Sequence, residues 1–239
     1  FACGSPDYRI FEFSFKNLDR FNFDLEKTGY RDWTPLHIAC ISGTAKTVET
    51  LLKDKRVNPM ARDEKGQIPF YSACKNGNIE TIKLFLEDER IDVTSVATNL
   101  RTAFHAAVWA DKNNSQVTKL LLCDGRIDPT QVDDSSDSPF THAILHRQWE
   151  VIEEFVQDER VLNSLDDKNI EECFVSMKTA RKKCPTELFC EISYFLQRHG
   201  FELERILRDS SQQIPDLEAV LQTIQLSCKR STVKSAGKQ

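Results

Sequence analysis

The sequence has little of what several protein classes require. It contains only 8 Gly in 239 residues and no Gly-rich phosphate loop, which argues against a nucleotide-cradling P-loop. No run approaches 18 consecutive apolar residues, so no membrane span is expected. No C-x-x-C pair occurs among the 8 Cys, and a structural zinc site is therefore not expected.

The composition that is present is that of a folded protein. The chain is 40% hydrophobic and 29% charged, which is globular rather than disordered. Its length suits one or two compact domains, or one elongated repeat array. The chain begins with Phe1, so we expect a fragment or a processed form, and a lost signal peptide stays open.

The charge is unevenly distributed. The formal net charge is -5, and the tail "KRSTVKSAGKQ" carries four cations and no acid, which leaves -9 for the rest of the chain. An acidic body argues against a nucleic-acid partner, because phosphate binding depends on Lys and Arg. The basic tail, residues 229–239, is expected to be solvated and disordered.

A charged motif recurs along the chain. It reads "DKRVN" (54–58), "DERID" (88–92), "DGRID" (124–128) and "DERV" (158–161). Its arginines are 34, 36 and 34 residues apart. A fixed period of this size indicates stacked supersecondary units.

A second set of segments has the same register. These segments read "TPLHIAC" (34–40), "IPFYSAC" (68–74), "TAFHAAV" (102–108) and "SPFTHAI" (138–144), and each precedes a turn and a second apolar run. Each unit is therefore predicted to be a short helix, a turn, a second helix and a loop that holds the Arg.

The residue types in each unit have physical reasons. Hydroxyl residues at the first position can cap a helix, and Pro fits the first helical turn. Large apolar residues and then Ala should face neighbouring units, and Gly allows a positive φ between the helices. The residues concerned are Thr34, Thr102 and Ser138; Pro35, Pro69 and Pro139; Leu36, Phe70, Phe104 and Phe140; Ala39, Ala73, Ala107 and Ala143; Gly43 and Gly77.

The chain resembles the ankyrin repeat family. "TPLHIACISGTAKTVETLL" and "DEKGQIPFYSACKNGNIETIKLFL" follow the family pattern D-x-x-G-x-T-P-L-H-x-A, then G, then V-x-x-L-L. Ile68, Ala103 and Thr141 depart from it, and Asp111 stands where Gly is expected. The resemblance implies an all-α solenoid of helix-turn-helix units with finger loops: four clear repeats, an irregular fifth and helical caps.

The predicted organisation has five parts. Residues 1–28 form an N-terminal cap or the remnant of a preceding domain, and residues 29–162 form the four repeats. Residues 163–202 form the irregular fifth repeat, residues 203–228 form the C-terminal capping helices, and the tail follows. The Arg motif is interpreted as structural, with each Arg near the C-terminus of its helix and paired with an acid of a neighbouring unit.

The histidine and cysteine residues give little reason to predict a catalytic site. His142 and His146 have a metal-compatible spacing, but "HAILH" lacks the Glu of H-E-x-x-H and a third ligand. Cys40 and Cys74 occupy the same point of successive repeats and are predicted to be small buried residues in a reducing, cytoplasmic setting. We therefore expect no enzyme, no cofactor and no metal. A Cys–His pair in the C-terminal third remains an alternative.

The resemblance implies a protein-binding module, monomeric in isolation, that uses the fingers and first helices of a concave face. Trp33 and Trp109 lack an evident core position and suggest interaction hot spots, although an N-terminal segment that covers Trp33 is the alternative. A second hypothesis is the targeting segment of a larger enzyme or pathogen effector. The candidate partner-binding residues are Tyr30, Arg31, Trp33, Ile41, Ser42, Glu64, Lys65, Gln67, Lys75, Asn76, Asn99, Arg101, Trp109, Asp134, Asp137, Leu145 and His146.

Overall fold

The computed structural model describes residues 30–42, 44–110, 114–146 and 148–165. These residues form helices and turns, and no strand occurs among them. A one-turn 3-10 helix spans Tyr30–Asp32. The α-helices within the described ranges are α1 (Pro35–Ser42), α2 (Ala45–Lys53), α3 (Pro69–Asn76), α4 (Ile79–Glu87), α5 (Ala103–Val108), α6 (Asn114–Asp124), α7 (Pro139–Leu145), α8 (Trp149–Val156) and α9 (Glu159–Ser164).

The chain divides into two compact units, Phe1–Pro139 and Phe140–Gln239. In the first unit, α1 packs against α2, α3 against α4, and α5 against α6. The first helices α1, α3 and α5 also contact one another in order, as do the second helices α2, α4 and α6. Three helix hairpins therefore stack side by side, and the helical repeat architecture predicted from the sequence is confirmed for this unit.

The core of the first unit follows the predicted register. Leu36, Phe70 and Phe104 are buried, and the Phe70 ring lies 5.8 Å from that of Phe85. Burial of each such side chain contributes about 1.5–3 kcal/mol. The small residues that allow close helix approach are also buried, namely Ala39, Ala73 and Ala107. The predicted inward face of the first helices is thus confirmed.

The described part of the second unit holds a smaller core. Phe140 and Phe155 meet edge to face at 6.2 Å, with their ring planes 82° apart. Val151 and Ile152 of α8 are buried, and α9 packs against α8. Trp149 is half-buried, because α8 begins there and its inward face starts at Val151.

Each arginine of the repeated motif pairs within its own segment. The Arg90 guanidinium donates to both carboxylate oxygens of Asp88, and the Arg90 amide donates to Asp88 Oδ1 at 3.1 Å. Arg56, Arg126 and Arg160 pair in the same way with the aspartate two residues earlier. For Arg90 and Arg126 the predicted ion pair with an acid of a neighbouring unit is wrong, because the motif supplies its own acid at a shorter reach.

The neighbouring unit contributes a backbone carbonyl instead. Arg90 donates to the Leu52 carbonyl at 2.5 Å, and Arg126 donates to the Leu86 carbonyl at 2.8 Å. Both carbonyls belong to the last turn of the preceding second helix, where a cation is favoured by the helix dipole. The motif is therefore a link between repeats, and the structural interpretation is confirmed.

The rest of the motif closes the unit. Val57, Ile91, Ile127 and Val161 are all buried. In the first three motifs the Asn or Asp that follows the buried Val or Ile also forms a hydrogen bond. Its side-chain oxygen accepts from the amide two positions later, as Asp92 Oδ1 does from the Thr94 amide at 3.0 Å. The fourth motif differs, because Asp158 caps α9 and Arg160 lies within that helix rather than in a loop.

Several predictions lie outside the described residues. They are the N-terminal cap or domain remnant at 1–28, the capping helices at 203–228, the basic tail at 229–239, the turn at Gly43 and the departure from the family pattern at Asp111. The irregular fifth repeat, 163–202, is described only as far as Leu165.

Candidate interaction surface

The loops between repeats form fingers, each a tight turn closed by two backbone hydrogen bonds. In finger 2 (residues 60–67) the Asp63 amide donates to the Gln67 carbonyl at 3.0 Å, and the Gly66 amide donates to the Asp63 carbonyl at 2.9 Å. The same pair of bonds closes finger 3 (residues 94–101) and finger 4 (residues 130–137). Finger 1 is described from Tyr30 to Trp33.

The same position in every finger has a positive φ: Gly66 at φ 69°, Leu100 at φ 59°, Ser136 at φ 65° and, in finger 1, Asp32 at φ 57°. In finger 1 the preceding residue, Arg31, also has a positive φ, 65°. Glycine adopts this left-handed conformation freely, whereas a residue with a Cβ pays about 1–2 kcal/mol. Only finger 2 therefore has the residue that the turn prefers.

The fingers are joined to one another by a backbone ladder, which we call the finger ladder. The Glu64 amide donates to the Arg31 carbonyl at 3.1 Å, the Thr98 amide to the Lys65 carbonyl at 3.0 Å, and the Asp134 amide to the Asn99 carbonyl at 3.1 Å. These bonds hold the four tips in a fixed order. The side chains at the tips are thus presented on an ordered backbone.

A buried aspartate organises finger 2 from inside. Asp63 Oδ1 accepts from the amides of Lys65 and Gln67 at 2.9 and 2.8 Å, and Asp63 Oδ2 accepts from Trp33 Nε1 at 3.3 Å. Arg31 lies 5.8 Å from the Trp33 ring and forms an ion pair with Glu64 at 3.6 Å. Trp33 is half-buried between fingers 1 and 2. These contacts within the chain account for its position, so no partner protein is needed to explain it.

The equivalent aspartate of finger 4 holds an arginine. Asp133 is buried, and its Oδ2 accepts from Arg101 Nε at 3.0 Å. The Arg101 guanidinium lies 4.4 Å from the Trp109 ring centroid, within cation–π range. Trp109, at the end of α5, is half-exposed. Arg101 therefore connects finger 4 with the inner end of α5.

Buried histidines connect the first helices to the next finger. The Thr34 amide donates to His37 Nδ1 at 3.2 Å, so Nε2 carries the proton and donates to the Gln67 carbonyl at 3.1 Å. His105 makes the matching bonds to Thr102 and Asp137. Burial is the main cause that lowers the pKa of His37. The first helices thus support the fingers through neutral histidines.

The second repeat has Tyr71 in place of this histidine. Tyr71 is buried in α3, and burial raises the pKa of its hydroxyl to about 12. Without an imidazole, finger 3 is linked to the first helices differently from fingers 2 and 4. The departure of this repeat from the family pattern therefore has a structural counterpart.

None of the predicted partner-binding residues whose side chains the structure describes is buried. The exposed ones are Arg31, Ser42, Glu64, Lys65, Lys75, Asp134, Leu145 and His146. The half-exposed ones are Trp33, Ile41, Gln67, Asn76, Asn99, Arg101, Trp109 and Asp137. Tyr30 begins the 3-10 helix of finger 1.

The predicted residues do not form one group. Within the first unit, the finger ladder brings together Arg31 with Glu64, Lys65 with finger 3, and Asn99 with Asp134. Asn76 instead donates to the Cys40 carbonyl at 3.2 Å, at the ends of α3 and α1. Leu145 and His146 belong to the second unit.

Sequence analysis missed Leu100 at the tip of finger 3 and Val132 in finger 4. Leu100 is 48% exposed and Val132 is 46% exposed. Alignment of Leu100 with Gly66, 34 residues earlier, would have identified a large apolar side chain at a turn position that favours Gly.

The described residues include both members of the His142–His146 pair and the thiols of Cys40 and Cys74. The His142 and His146 rings stack at 6.1 Å with an interplanar angle of 10°, and partial burial, followed by the proximity of His142, lowers the pKa of His146. Cys40 and Cys74 are buried free thiols, as predicted, and burial raises the pKa of both. A raised pKa disfavours the reactive thiolate. The proposed Cys–His pair of the C-terminal third lies outside the described residues.

Stacked helix hairpins with a ladder of fingers define a helical repeat protein. A family model of ankyrin repeats, in 3 copies, matches residues 2–97 and 36–133. The chain belongs to the ankyrin repeat family. No curated protein matches it.

Proteins of this family are generally protein–protein interaction modules and are typically not enzymes. Among the described helices, none has both the length and the apolar character needed to cross a bilayer.

Proposed function

We propose that the chain binds a partner protein through its finger surface, defined as the tips of fingers 1 to 4 together with Trp109 at the end of α5. The resemblance found in the sequence predicts that this surface belongs to the concave face. Membership of the family supports the class of function. The exposed residues of this surface support its location. Catalysis plays no part in the proposal.

The observation that carries the proposal is the contrast between backbone and side chains in the fingers. The finger ladder fixes the backbone at each tip, while Arg31, Glu64, Lys65 and Asp134 remain exposed. A backbone that is already ordered loses little further conformational entropy on binding, which favours affinity. Trp109 adds an aromatic group of the type that dominates interface energetics.

The proposal is tested by truncating Trp109. A tagged chain is used to capture partners from a cell lysate, and the captured proteins are identified and quantified. Trp109→Ala removes the ring beside Arg101, and truncation of a buried aromatic anchor typically costs 2 kcal/mol or more. We therefore expect at least a tenfold loss of the captured partner, with the helical circular dichroism unchanged.

The matched control is Trp149→Ala, which removes a half-buried Trp at the start of α8, an element that is not part of the finger surface. This variant should capture the partner as the unchanged chain does. Full capture by Trp109→Ala, or equal loss in both variants, would contradict the finger surface as the binding site. Trp109 is preferred to Trp33 for this test because Trp33 donates to Asp63 and its loss should also disturb finger 2.

Two finer statements belong to the same proposal. An intracellular, reducing setting is supported by the buried free thiols of Cys40 and Cys74. A role as the targeting segment of a larger enzyme or pathogen effector stays a prediction. It would use the same surface for recognition.

A further inference from the structure

Leu100 combines two features that folding alone does not favour. It occupies the left-handed turn position of finger 3 at φ 59°, where finger 2 has Gly66. Its side chain is nevertheless 48% exposed. A strained backbone is retained only where something compensates for it, and such outliers point towards function. Packing compensates little here, because about half of the side chain remains in solvent.

The neighbouring finger is acidic. The Asp134 amide donates to the Asn99 carbonyl, so the tip of finger 4 lies next to the tip that carries Leu100. Asp134 is exposed and Asp137 half-exposed, and neither forms an ion pair with any cation in the described part of the chain. The nearby cation Arg101 is already engaged by the buried Asp133. Fingers 3 and 4 therefore present an apolar side chain beside unneutralised carboxylates.

Fingers 1 and 2 have a different character. Arg31 pairs with Glu64, and the exposed Lys65 offsets the charge of the exposed Asp32. The excess of negative charge is thus confined to one end of the finger ladder. A partner segment that lies along fingers 3 and 4 would contact an apolar side chain on finger 3 and lie in a negative potential at finger 4.

We propose that the tips of fingers 3 and 4 select a basic partner segment with an apolar side chain, in which Leu100 packs against the apolar group and Asp134 accepts from Lys or Arg. This inference rests on the proposed function and specifies its partner class. Complementary charge of this kind sets specificity and association rate more than total affinity. The binding should therefore weaken as salt concentration rises.

The test uses the full chain and a displayed library of random 16-residue peptides as the probe. Peptides selected against the immobilised chain should be enriched in Lys or Arg next to Leu, Ile or Phe. Their affinity should fall at least tenfold for Leu100→Asn, because Asn tolerates a left-handed φ and keeps the turn while removing the apolar group. Asp134→Asn should weaken binding and reduce its salt dependence.

Leu84→Gln is the matched control, since Leu84 is a half-exposed apolar residue of α4 outside the fingers; it should bind within about twofold of the unchanged chain. The inference is overturned if no peptide is selected, if the selected peptides lack basic residues, or if Leu100→Asn binds them equally well. Peptides that require Trp109 but not Leu100 would overturn this inference while leaving the proposed function in place.

Discussion

At the scale of single residues, backbone conformation and side-chain exposure at the finger tips are set independently. Gly66 and Leu100 share the same turn position and a similar positive φ, 69° and 59°. A Cβ at Gly66 would lie 2.8 Å from Thr98 Cγ2, too close for an undistorted structure. Finger 2 thus requires Gly, whereas finger 3 tolerates Leu at an energetic cost.

Replacement of Leu100 by Gly should stabilise the protein. The left-handed conformation costs about 1–2 kcal/mol for a residue with a Cβ, and the greater unfolded-state entropy of Gly offsets about 0.5–1 kcal/mol. A net gain of about 0.5–1 kcal/mol in the free energy of unfolding is expected. Urea denaturation monitored by circular dichroism would measure it.

Two variants serve as controls for this prediction. Leu100→Ala keeps the Cβ and should bring no gain, and Gly66→Ala should destabilise, because φ is 69° and Thr98 is close. A gain in Leu100→Ala as large as that in Leu100→Gly would show that backbone strain is not the cause.

At the scale of structural elements, the Asp-x-Arg segment acts as a connector between second helices. The guanidinium of Arg90 contacts Asp88 of its own segment and the Leu52 carbonyl of the preceding repeat at the same time. The pKa of Asp88 is lowered chiefly by its hydrogen bonds from Arg90. A planar fork with several donors can serve both acceptors, whereas an ammonium group is a point charge.

Arg90→Lys should therefore destabilise the protein although the charge is kept. The loss of the second contact should cost about 1 kcal/mol, less than a buried charged hydrogen bond because the Arg90 side chain is 42% exposed. Denaturant midpoints of the two proteins would measure the difference.

The control is Lys53→Ala, which removes an exposed ion pair with Glu49 within α2. Pairs of this kind contribute only about 0.2–0.5 kcal/mol. If Arg90→Lys costs no more than this control, the contact with the Leu52 carbonyl contributes nothing measurable to stability.

At the scale of the whole molecule, the repeated motif links stability to acid pH. Hydrogen bonds from the paired arginines lower the pKa of Asp54, Asp88, Asp124 and Asp158 below 3.8. A carboxyl group with a lowered folded-state pKa stabilises the fold above its unfolded-state pKa, and this contribution is lost as the pH falls through the folded-state pKa. The four contributions should therefore disappear together below about pH 4.

The double variant Asp88→Asn with Asp124→Asn should show a weaker pH dependence than the unchanged chain. It should be less stable at pH 6, where the carboxylates are ionised, and the difference should shrink towards pH 2.5. Free energies of unfolding across this range would test the expectation. A difference that stays constant with pH would mean that the paired carboxylates do not contribute through their ionisation.

Much of the fold was predictable from local pattern. The 34- and 36-residue spacings gave the repeat, and Pro35, Pro69 and Pro139 marked the helix starts that the structure confirms. The buried faces followed from helical periodicity, because a residue on the inner face meets the same environment in every repeat. Trp149 and Leu86 are half-buried, since their neighbours on α8 and α4 provide the inward face.

The candidate surface was predictable only in outline. Finger positions could be read from the register, so the predicted residues whose side chains are described are all exposed or half-exposed. Two contacts could not be predicted from the sequence: the hydrogen bond from Trp33 to Asp63 and the contact of Arg101 with Trp109. Both depend on how adjacent fingers pack. Leu100, in contrast, could have been found by aligning it with Gly66, which has the same place in the turn.

By itself the sequence determined the repeat, the helices and the core positions, since these depend on periodicity and on the intrinsic preferences of Pro, Ala and the apolar residues. Only the tertiary structure decided the partners of the polar groups. Arg126 reaches a carbonyl 40 residues earlier, and finger 4 joins finger 3 through Asp134 and Asn99, 35 residues apart. Such contacts form only when stacked repeats bring distant segments to hydrogen-bond distance, and they leave no local pattern.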